Sequence, residues 1–334
     1  MTSRPELSVS FHNFWPGFDP KTFFLTRELM RRFNLRFDLC GRDLQFFSVF
    51  GKELVPTRGR ERALRVWFSG EVFEPSRMIY DLHFGSLPES LWGKRWVRCP
   101  VWSAGINWWD DTSPYSPSHL LAERRFEPRE KFCNFIYSNR TSFRTEFFDL
   151  LGKRRRVDSC GRVLNNVGDP CVDKFKAVSE YQFTIAFENA LSPGYVAEKL
   201  IDPIVARSIP IYWGASEAKT DFNSDAFIFA RDFQSFDDLA DHVIKVSDSR
   251  EAMERLVTAP VFPDNRIPEQ FTASHYVNLI VEALSTPQTT IERHALNDTL
   301  IADQPGYSRK GKGLERLGKR IGKHVARFAR MPLR

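Results

Sequence analysis

The sequence has no long apolar run. Nowhere in its 334 residues is there a stretch approaching the roughly 18 apolar residues of a membrane-crossing helix, and the opening MTSRPELSVSF lacks the apolar core of an export signal. Neither export nor transmembrane anchoring is expected. Cysteine is sparse: Cys40, Cys99, Cys133, Cys160 and Cys171 are an odd number with no C-x-x-C pair. That argues against a disulfide framework and a zinc ribbon, and it fits a reducing compartment. The seven histidines (His12, His83, His119, His242, His275, His294, His324) show no H-x-x-x-H or similar metal spacing. There is no D-x-D; Asp110-Asp111 and Asp237-Asp238 are adjacent pairs. Repeats of 20 to 50 residues and low-complexity segments are likewise lacking.

What is present is an ordinary globular composition, 42% hydrophobic and 27% charged, with a mean hydropathy of −0.38. At a typical ~150 residues per domain the chain predicts about two domains. Thirty Phe and eight Trp predict aromatic cores and suggest sugar-facing surfaces. The net charge of +6 would suggest nucleic acid, but residues 309–334 hold ten Lys and Arg against one acid, Glu315. That leaves 38 basic and 41 acidic residues in 1–308, a body of net −3. Only the tail is basic, and a nucleic-acid partner is not expected.

Apolar periodicity reads as βαβ units. Strands are predicted at Leu7–Phe11, Leu35–Leu39 and Ala63–Phe68, with a helix from about Thr22 carrying Phe24, Leu25, Leu29, Met30 and Phe33 on one face. The strand ALRVWF runs out at Ser69-Gly70-Glu71, placing a carboxylate where open α/β sheets hold ligands. Residues 111–130 mix Pro, Ser and charge, so the domain boundary is placed there: an N-terminal domain over 1–126, a C-terminal domain over 127–290, and an extension over 291–334. In the second domain, strands are predicted at 131–137, 181–187, 209–213 and 227–229. Helices are predicted at about 142–151, carrying Arg144 on its first turn, at 195–208 and at 236–246. Pro203 falls inside one of these helices, so that helix is expected to be short or kinked.

The most informative stretch is FENALSPGYVAEKLIDPIVARSIPIYWG, residues 187–214: a strand, a turn at Ser192-Pro193-Gly194, a helix start and a buried strand. A helix N-terminus at the sheet's C-terminal edge offers unpaired N–H groups suited to a phosphate. Lys199 could neutralise that phosphate, and Glu198 could accept from sugar hydroxyls. Any βαβ crossover places a helix start there, so this pattern alone is weak.

Phe187-Glu188-Asn189, Gly194-Tyr195-Val196, Glu198-Lys199 and Ile209–Gly214, in this order and spacing, resemble the donor-binding signature of the α-1,3/1,4-fucosyltransferases, glycosyltransferase family 10. Asp221-Phe222-Asn223 and Ser235-Phe236-Asp237 extend the resemblance. More thinly, so do Phe132–Asn139 with Arg144, Phe68–Glu71 and Arg98-Cys99-Pro100. The resemblance implies an α/β fold of GT-B type, two Rossmann-like parallel-sheet domains facing across a cleft. The N-terminal domain would bind the acceptor and the C-terminal one GDP-L-fucose, with no cofactor and no metal, consistent with the missing D-x-D. It further implies inverting transfer from GDP-β-L-fucose to O3 of GlcNAc or Glc in a glycan such as N-acetyllactosamine. Glu71 would be the general base, Arg144 and Lys199 the cations for the departing diphosphate, and Asn189, Tyr195 and Glu198 the lining of nucleotide and fucose. Ala197 stands where the family often has Thr, and Pro203 interrupts a helix usually free of proline.

Each assignment has an ordinary competitor. Glu71 could be a solvated loop acid, with Glu74 as the nearest substitute base, and Arg144 could pair with Glu146 or Asp149 on its helix. Tyr212 and Trp213 read as core. Trp92, Trp96, Trp102, Trp108 and Trp109 cluster and could stack on sugars, although tryptophan is more often buried. The alternative functions are a GT-B enzyme using another nucleotide sugar and a catalytically silent glycan- or lipid-binding protein.

In Gly313–Arg330 the residues Leu314, Leu317, Ile321, Val325 and Phe328 form one helical stripe. Arg316, Lys319, Arg320, Lys323, Arg327 and Arg330 occupy the other faces, the pattern of a helix lying on an anionic membrane. The expected location is therefore cytoplasmic, on the inner face of the cell membrane. Binding to anionic vesicles should weaken in high salt and be lost on deleting 313–334. Co-sedimentation that ignores salt or persists without the tail would contradict this reading.

Overall fold

A computed structural model describes residues 4–51, 63–72, 80–88, 96–138, 141–168 and 171–286; the basic tail, Glu74 and Trp92 lie outside the described residues. The chain forms two compact units. The first is built on a parallel sheet of short strands. Its elements are β1 (Glu6–His12), α1 (Phe24–Leu29), β2 (Asn34–Phe37), β3 (Leu44–Phe47), β4 (Leu64–Phe68), β5 (Leu82–Gly85) and β6 (Trp96–Arg98). The strand order is β2-β1-β3-β4-β5-β6, and β3 and β4 are buried throughout. Register places Phe11 beside Phe46 and Phe46 beside Val66. Rings from the strands, the loop after β1 and the N-cap of α1 then interlock edge to face: Phe11 on Phe14, and Phe23 on Phe46 and Phe68, with centroids 5.1 to 5.9 Å apart. Edge-to-face packing suits the ring quadrupole, which is where much of the phenylalanine goes.

The second unit carries β7 (Lys131–Asn134), α2 (Ser142–Arg154), β8 (Val157–Asp158), α3 (Lys174–Ser179), β9 (Tyr181–Phe187), α4 (Glu198–Val205), β10 (Ile209–Trp213), β11 (Ile228–Phe229), α5 (Phe236–Ser247) and α6 (Arg250–Thr258). Its strands are parallel in the order β11-β10-β9-β7-β8. β9 lies central and is buried along nearly its whole length. Phe147 of α2 stacks on Phe187 and meets Phe236 of α5, joining both helices to the strand that leads into the motif. Caps follow the sequence: Ser235, Ser249 and Asp173 each accept a backbone N–H of the helix they precede, worth about 1 kcal/mol apiece.

The chain then returns to the first unit as α7 (Ala273–Ser285). Tyr276 packs on Phe24 and Phe84, and Arg32 donates to Asn278 and Ser274. No described helix is long and apolar enough to cross a membrane.

Two expectations are corrected. The units divide at Cys99/Pro100 and Glu269/Gln270; the expected boundary at 126/127 falls within the second unit, and that at 290/291 lies outside the described residues. Residues 100–126 are polar in composition yet pack within the second unit. Trp102 is enclosed by Phe222 and Phe262, and Arg124 donates to the carbonyls of Ala259 and Ile204. Composition misplaces the boundary because part of this polar stretch, Ser113, Ser116 and Arg124, is buried and hydrogen-bonded. The helix expected over 195–208 is α4, 198–205 only, shortened by a turn before it and by Pro203 within it. Of the clustered tryptophans, Trp96 and Trp102 are core residues, while Trp108 and Trp109 are half-buried.

Candidate functional site

The C-terminal end of β9 and the start of α4 meet over a buried carboxylate. Glu188 follows the last residue of β9 and has no solvent exposure. Its Oε1 accepts the N–H of Ala197 at 2.7 Å and the Tyr212 hydroxyl at 3.3 Å. Its Oε2 lies 3.2 Å from Lys199 Nζ. Ala197 is the N-cap of α4 and has no side chain to cap with, so Glu188 stands in by taking the N-cap's own N–H. The Ser192-Pro193-Gly194-Tyr195 turn brings the chain there; Gly194 has φ +72°, and Tyr195 N–H donates to Ser192 O at 3.1 Å. Gly214 is required by the same packing: a Cβ there would meet Tyr212 Oη at 2.3 Å and Glu188 Cγ at 2.8 Å.

Lys199 is shared. Besides Glu188, Glu198 Oε1 lies 3.4 Å from its Nζ, and both side chains are 15% exposed. Burial pushes Lys199 toward deprotonation, but the two carboxylates outweigh it and hold its pKa well above the ordinary lysine value. Burial raises Glu188, against the pull of Lys199 and the Ala197 N–H. Burial, then Glu188, pushes the Tyr212 phenol well up, keeping it a donor. Tyr212 is a core residue as expected, but its hydroxyl belongs to this network.

Arg144, on the first turn of α2, is 1% exposed. It does not pair with Glu146 or Asp149 across its helix. Its Nη2 donates to Phe187 O at 2.5 Å, and its guanidinium lies 4.1 Å over the ring of Tyr137. Tyr137 in turn donates to the same carbonyl. Gly161 lets the following loop press on Tyr137, since a Cβ there would sit 2.5 Å from its backbone N and O. Arg144 Nε and Nη1 are buried, with no hydrogen-bond partner among the described residues. Two buried donors on a full positive charge are costly unless something accepts from them. The arrangement suits an anion that brings oxygen atoms.

Of the sequence-predicted residues, Tyr195, Glu198, Lys199 and half-buried Asn189 gather where β9 ends and α4 begins, and Arg144 joins them through Phe187. Glu71 belongs to the other unit. It is half-buried just past β4, its N–H held by Ser69 Oγ at 3.0 Å. No cluster of three His, Cys, Asp or Glu suited to a metal occurs among the described residues. Glu188, Tyr137, Lys174, Asp202 and Tyr115 carry this site's polar contacts but were given no role from sequence. Glu188 alone had a local signal, a carboxylate ending an apolar strand.

A family model described as glycosyltransferase family 10 (fucosyltransferase) C-term matches residues 126–257. A second, the alpha-(1,3)-fucosyltransferase FucT N-terminal domain, matches residues 9–104. The chain belongs to glycosyltransferase family 10. An alpha-(1,3)-fucosyltransferase FucT of Helicobacter pylori is 28% identical to it, over 91% of this chain and 69% of the relative. A putative fucosyltransferase of Acanthamoeba polyphaga mimivirus is 34% identical over 41% of this chain and 25% of its own. Among solved structures, an alpha1,3-fucosyltransferase with GDP-fucose superposes with a TM-score of 0.67 at 23% identity, covering 85% of this chain and 92% of that one. The fold of this family 10 chain is thus that of the GT-B fucosyltransferases, and the chain is a glycosyltransferase.

Because the folded pKa of Lys199 stands above the unfolded ~10.4, its contribution to stability is complete below that pH and is lost as pH rises from there through the folded value. In urea melts, the stability gap between wild type and Lys199→Met should stay constant from pH 7 to 10 and narrow above. A gap that is flat beyond pH 11, or that narrows already near neutrality, would contradict the pairing.

Proposed function

We propose that this family 10 enzyme transfers L-fucose from GDP-β-L-fucose, with inversion, to a hydroxyl of a glycan acceptor. O3 of GlcNAc or Glc in an N-acetyllactosamine-like unit of a surface polysaccharide is the favoured acceptor. The observation that carries the reading is Arg144: a buried guanidinium with two N–H-bearing nitrogens that have no acceptor among the described residues. It is tied to the carbonyl of Phe187, beside Glu188, which pairs with Lys199 of α4. A diphosphate oxygen supplies the missing acceptor.

In this reaction the acceptor hydroxyl oxygen attacks the anomeric carbon from the face opposite the nucleotide. The bond from that carbon to the β-phosphate oxygen breaks, and GDP leaves with the electron pair. Arg144 meets the charge that develops on the leaving phosphate, assisted by Lys199 and the α4 N-terminus. Lys199 is already balanced by Glu188 and Glu198, so Arg144 supplies most of the uncompensated positive charge. Asn189, Tyr195 and Glu198 line the nucleotide and fucose, with Glu198 accepting from sugar hydroxyls. Glu71 takes the proton of the acceptor hydroxyl as bond formation proceeds. The step needs no metal. The basic segment 313–330 attaches the enzyme to the cytoplasmic face of the membrane, close to lipid-linked acceptors. A GDP-fucose complex of the similar alpha1,3-fucosyltransferase and the family itself support the donor assignment.

Glu71→Gln should lower kcat by about 10²- to 10⁴-fold, the usual contribution of a general base, and leave the KM for GDP-fucose within a factor of about three. Wild-type turnover should persist in EDTA, and the product should be an α-L-fucoside by NMR. Retained kcat in the variant would remove Glu71 from the mechanism. Loss of turnover in EDTA would remove the metal-free step.

A further inference from the structure

The far end of helix α4 gathers arginines. Its last turn closes with the N–H of Ser208 donating to Pro203 O at 2.8 Å and that of Arg207 to Ile204 O at 3.0 Å, the paired bonds of a Schellman cap. Such a cap puts the residue after the C-cap in the left-handed region, where glycine or asparagine is favoured. Arg207 occupies that position, with φ +57°. Arg124 Nη2 reaches the same Ile204 carbonyl at 2.9 Å, and its Nη1 the carbonyl of Ala259 at 3.2 Å. Arg129 Nη2 donates to Ala206 O at 2.7 Å.

Arg124, Arg207 and His119 line one cavity, whose apolar walls include Ile204, Val205 and Val261. Its volume is about 10 Å³, room for a single atom the size of an oxygen. Arg207 Nη1 is buried with no hydrogen-bond partner among the described residues, and neither Arg124 nor Arg207 pairs with a carboxylate among them. Carbonyls at the end of α4 account for Arg124 and Arg129, since basic side chains serve helix C-termini. They do not account for the Arg207 guanidinium: the cap bond uses its backbone N–H, which any residue but proline would supply.

The charges also crowd one another. Burial, then the charges of Arg207 and Arg129, pull Arg124 down to about 10. Burial, then Arg207, holds the His119 imidazole below its ordinary value, so at neutral pH it is largely uncharged. An anion would meet the buried donor and relieve the repulsion together. One oxygen fills the cavity, and the rest of the ligand faces outward past His119 and Arg207, both partly exposed.

We propose that the C-terminal end of α4 carries an anion site separate from the donor site, in which Arg124, Arg207 and His119 hold a small soluble oxyanion of the phosphate class by one of its oxygens. The eight residues of α4 set it about 12 Å along the helix from Glu198 and Lys199. The inference stands whether or not the GDP-fucose reading does.

Inorganic phosphate is the probe. The ring resonances of His119, assigned by their loss in His119→Gln, give a readout at this end of the helix alone. In the full chain they should shift saturably as phosphate is added at constant pH and ionic strength. In Arg207→Gly the apparent Kd should rise at least about tenfold, the scale of one charge-assisted hydrogen bond. Because glycine suits the left-handed position, this variant should melt no lower than wild type in phosphate-free buffer. Arg207→Asn, which accepts the same backbone, carries the test if the glycine variant does not fold. Resonances unmoved by phosphate in the wild type would mean that water alone meets Arg207, and would overturn the proposal. An unchanged Kd in the Arg207 variant would do the same. So would a variant that melts several degrees lower without phosphate, since the guanidinium would then brace the fold unliganded. Co-sedimentation with phosphatidic acid vesicles that depends on Arg207, with no response to inorganic phosphate, would overturn the soluble anion in favour of a lipid headgroup.

Discussion

The second unit depends on one buried ion pair, Glu188 with Lys199. A carboxylate with no solvent exposure at the end of a central strand is tolerable only if its lone pairs are met and its charge is matched. Here the Ala197 N–H and the Tyr212 hydroxyl meet Oε1, and the Lys199 ammonium, 3.2 Å from Oε2, matches the charge. Those three groups come from the helix cap, the next strand and the helix's first turn, so satisfying Glu188 ties β9, α4 and β10 together at one point. Replacing such a pair with apolar residues can be neutral for stability. What the polar version supplies is a helix start of defined position with charged groups at the sheet edge.

Around that point the charge is arranged in two tiers. Lys199 and Lys174 are balanced by Glu188, Glu198 and Asp202 and so act mainly as organisers. Arg144 has no carboxylate partner among the described residues; its hydrogen bond goes to a backbone carbonyl and its face to Tyr137. Guanidinium suits this position because it stacks on an aromatic ring while presenting its donors in a fixed fork. An anion arriving there meets a cation that is already oriented and desolvated, which is the condition under which electrostatic stabilisation of a leaving group is strongest.

Much of this was legible in the sequence where the physics is local. The apolar runs YQFTIAF and IPIYW became β9 and β10 because strands buried on both faces have no polar side to show. Glu198 and Lys199 were placed on a helix's first turn, and they are there. Helix α4 was read too long because Tyr195, Val196 and Ala197 are buried and fit a helical apolar pattern while lying outside the helix, Ala197 in extended backbone. The short strands β3, β5 and β6 went unread, as three or four buried residues carry no period. The Asp202 contacts with Lys174 and Tyr115 span 28 and 87 residues, and no local pattern announces them. The polar stretch 111–130 misled for the same reason: Arg124 is satisfied by the carbonyls of Ala259 and Ile204, which only the folded chain brings near.

The central claim is that Arg144 and its neighbours form a diphosphate site for a guanine nucleotide sugar. Its most direct test is calorimetric titration of GDP, GDP-fucose, UDP and ADP into the full chain and into Arg144→Lys, all in EDTA. The account predicts that only the guanine nucleotides bind. It also predicts that Arg144→Lys binds them about tenfold or more weakly, the cost of losing charge-assisted hydrogen bonds in a buried fork. Binding of UDP or ADP as tight as that of GDP, or wild-type affinity in Arg144→Lys, would contradict it.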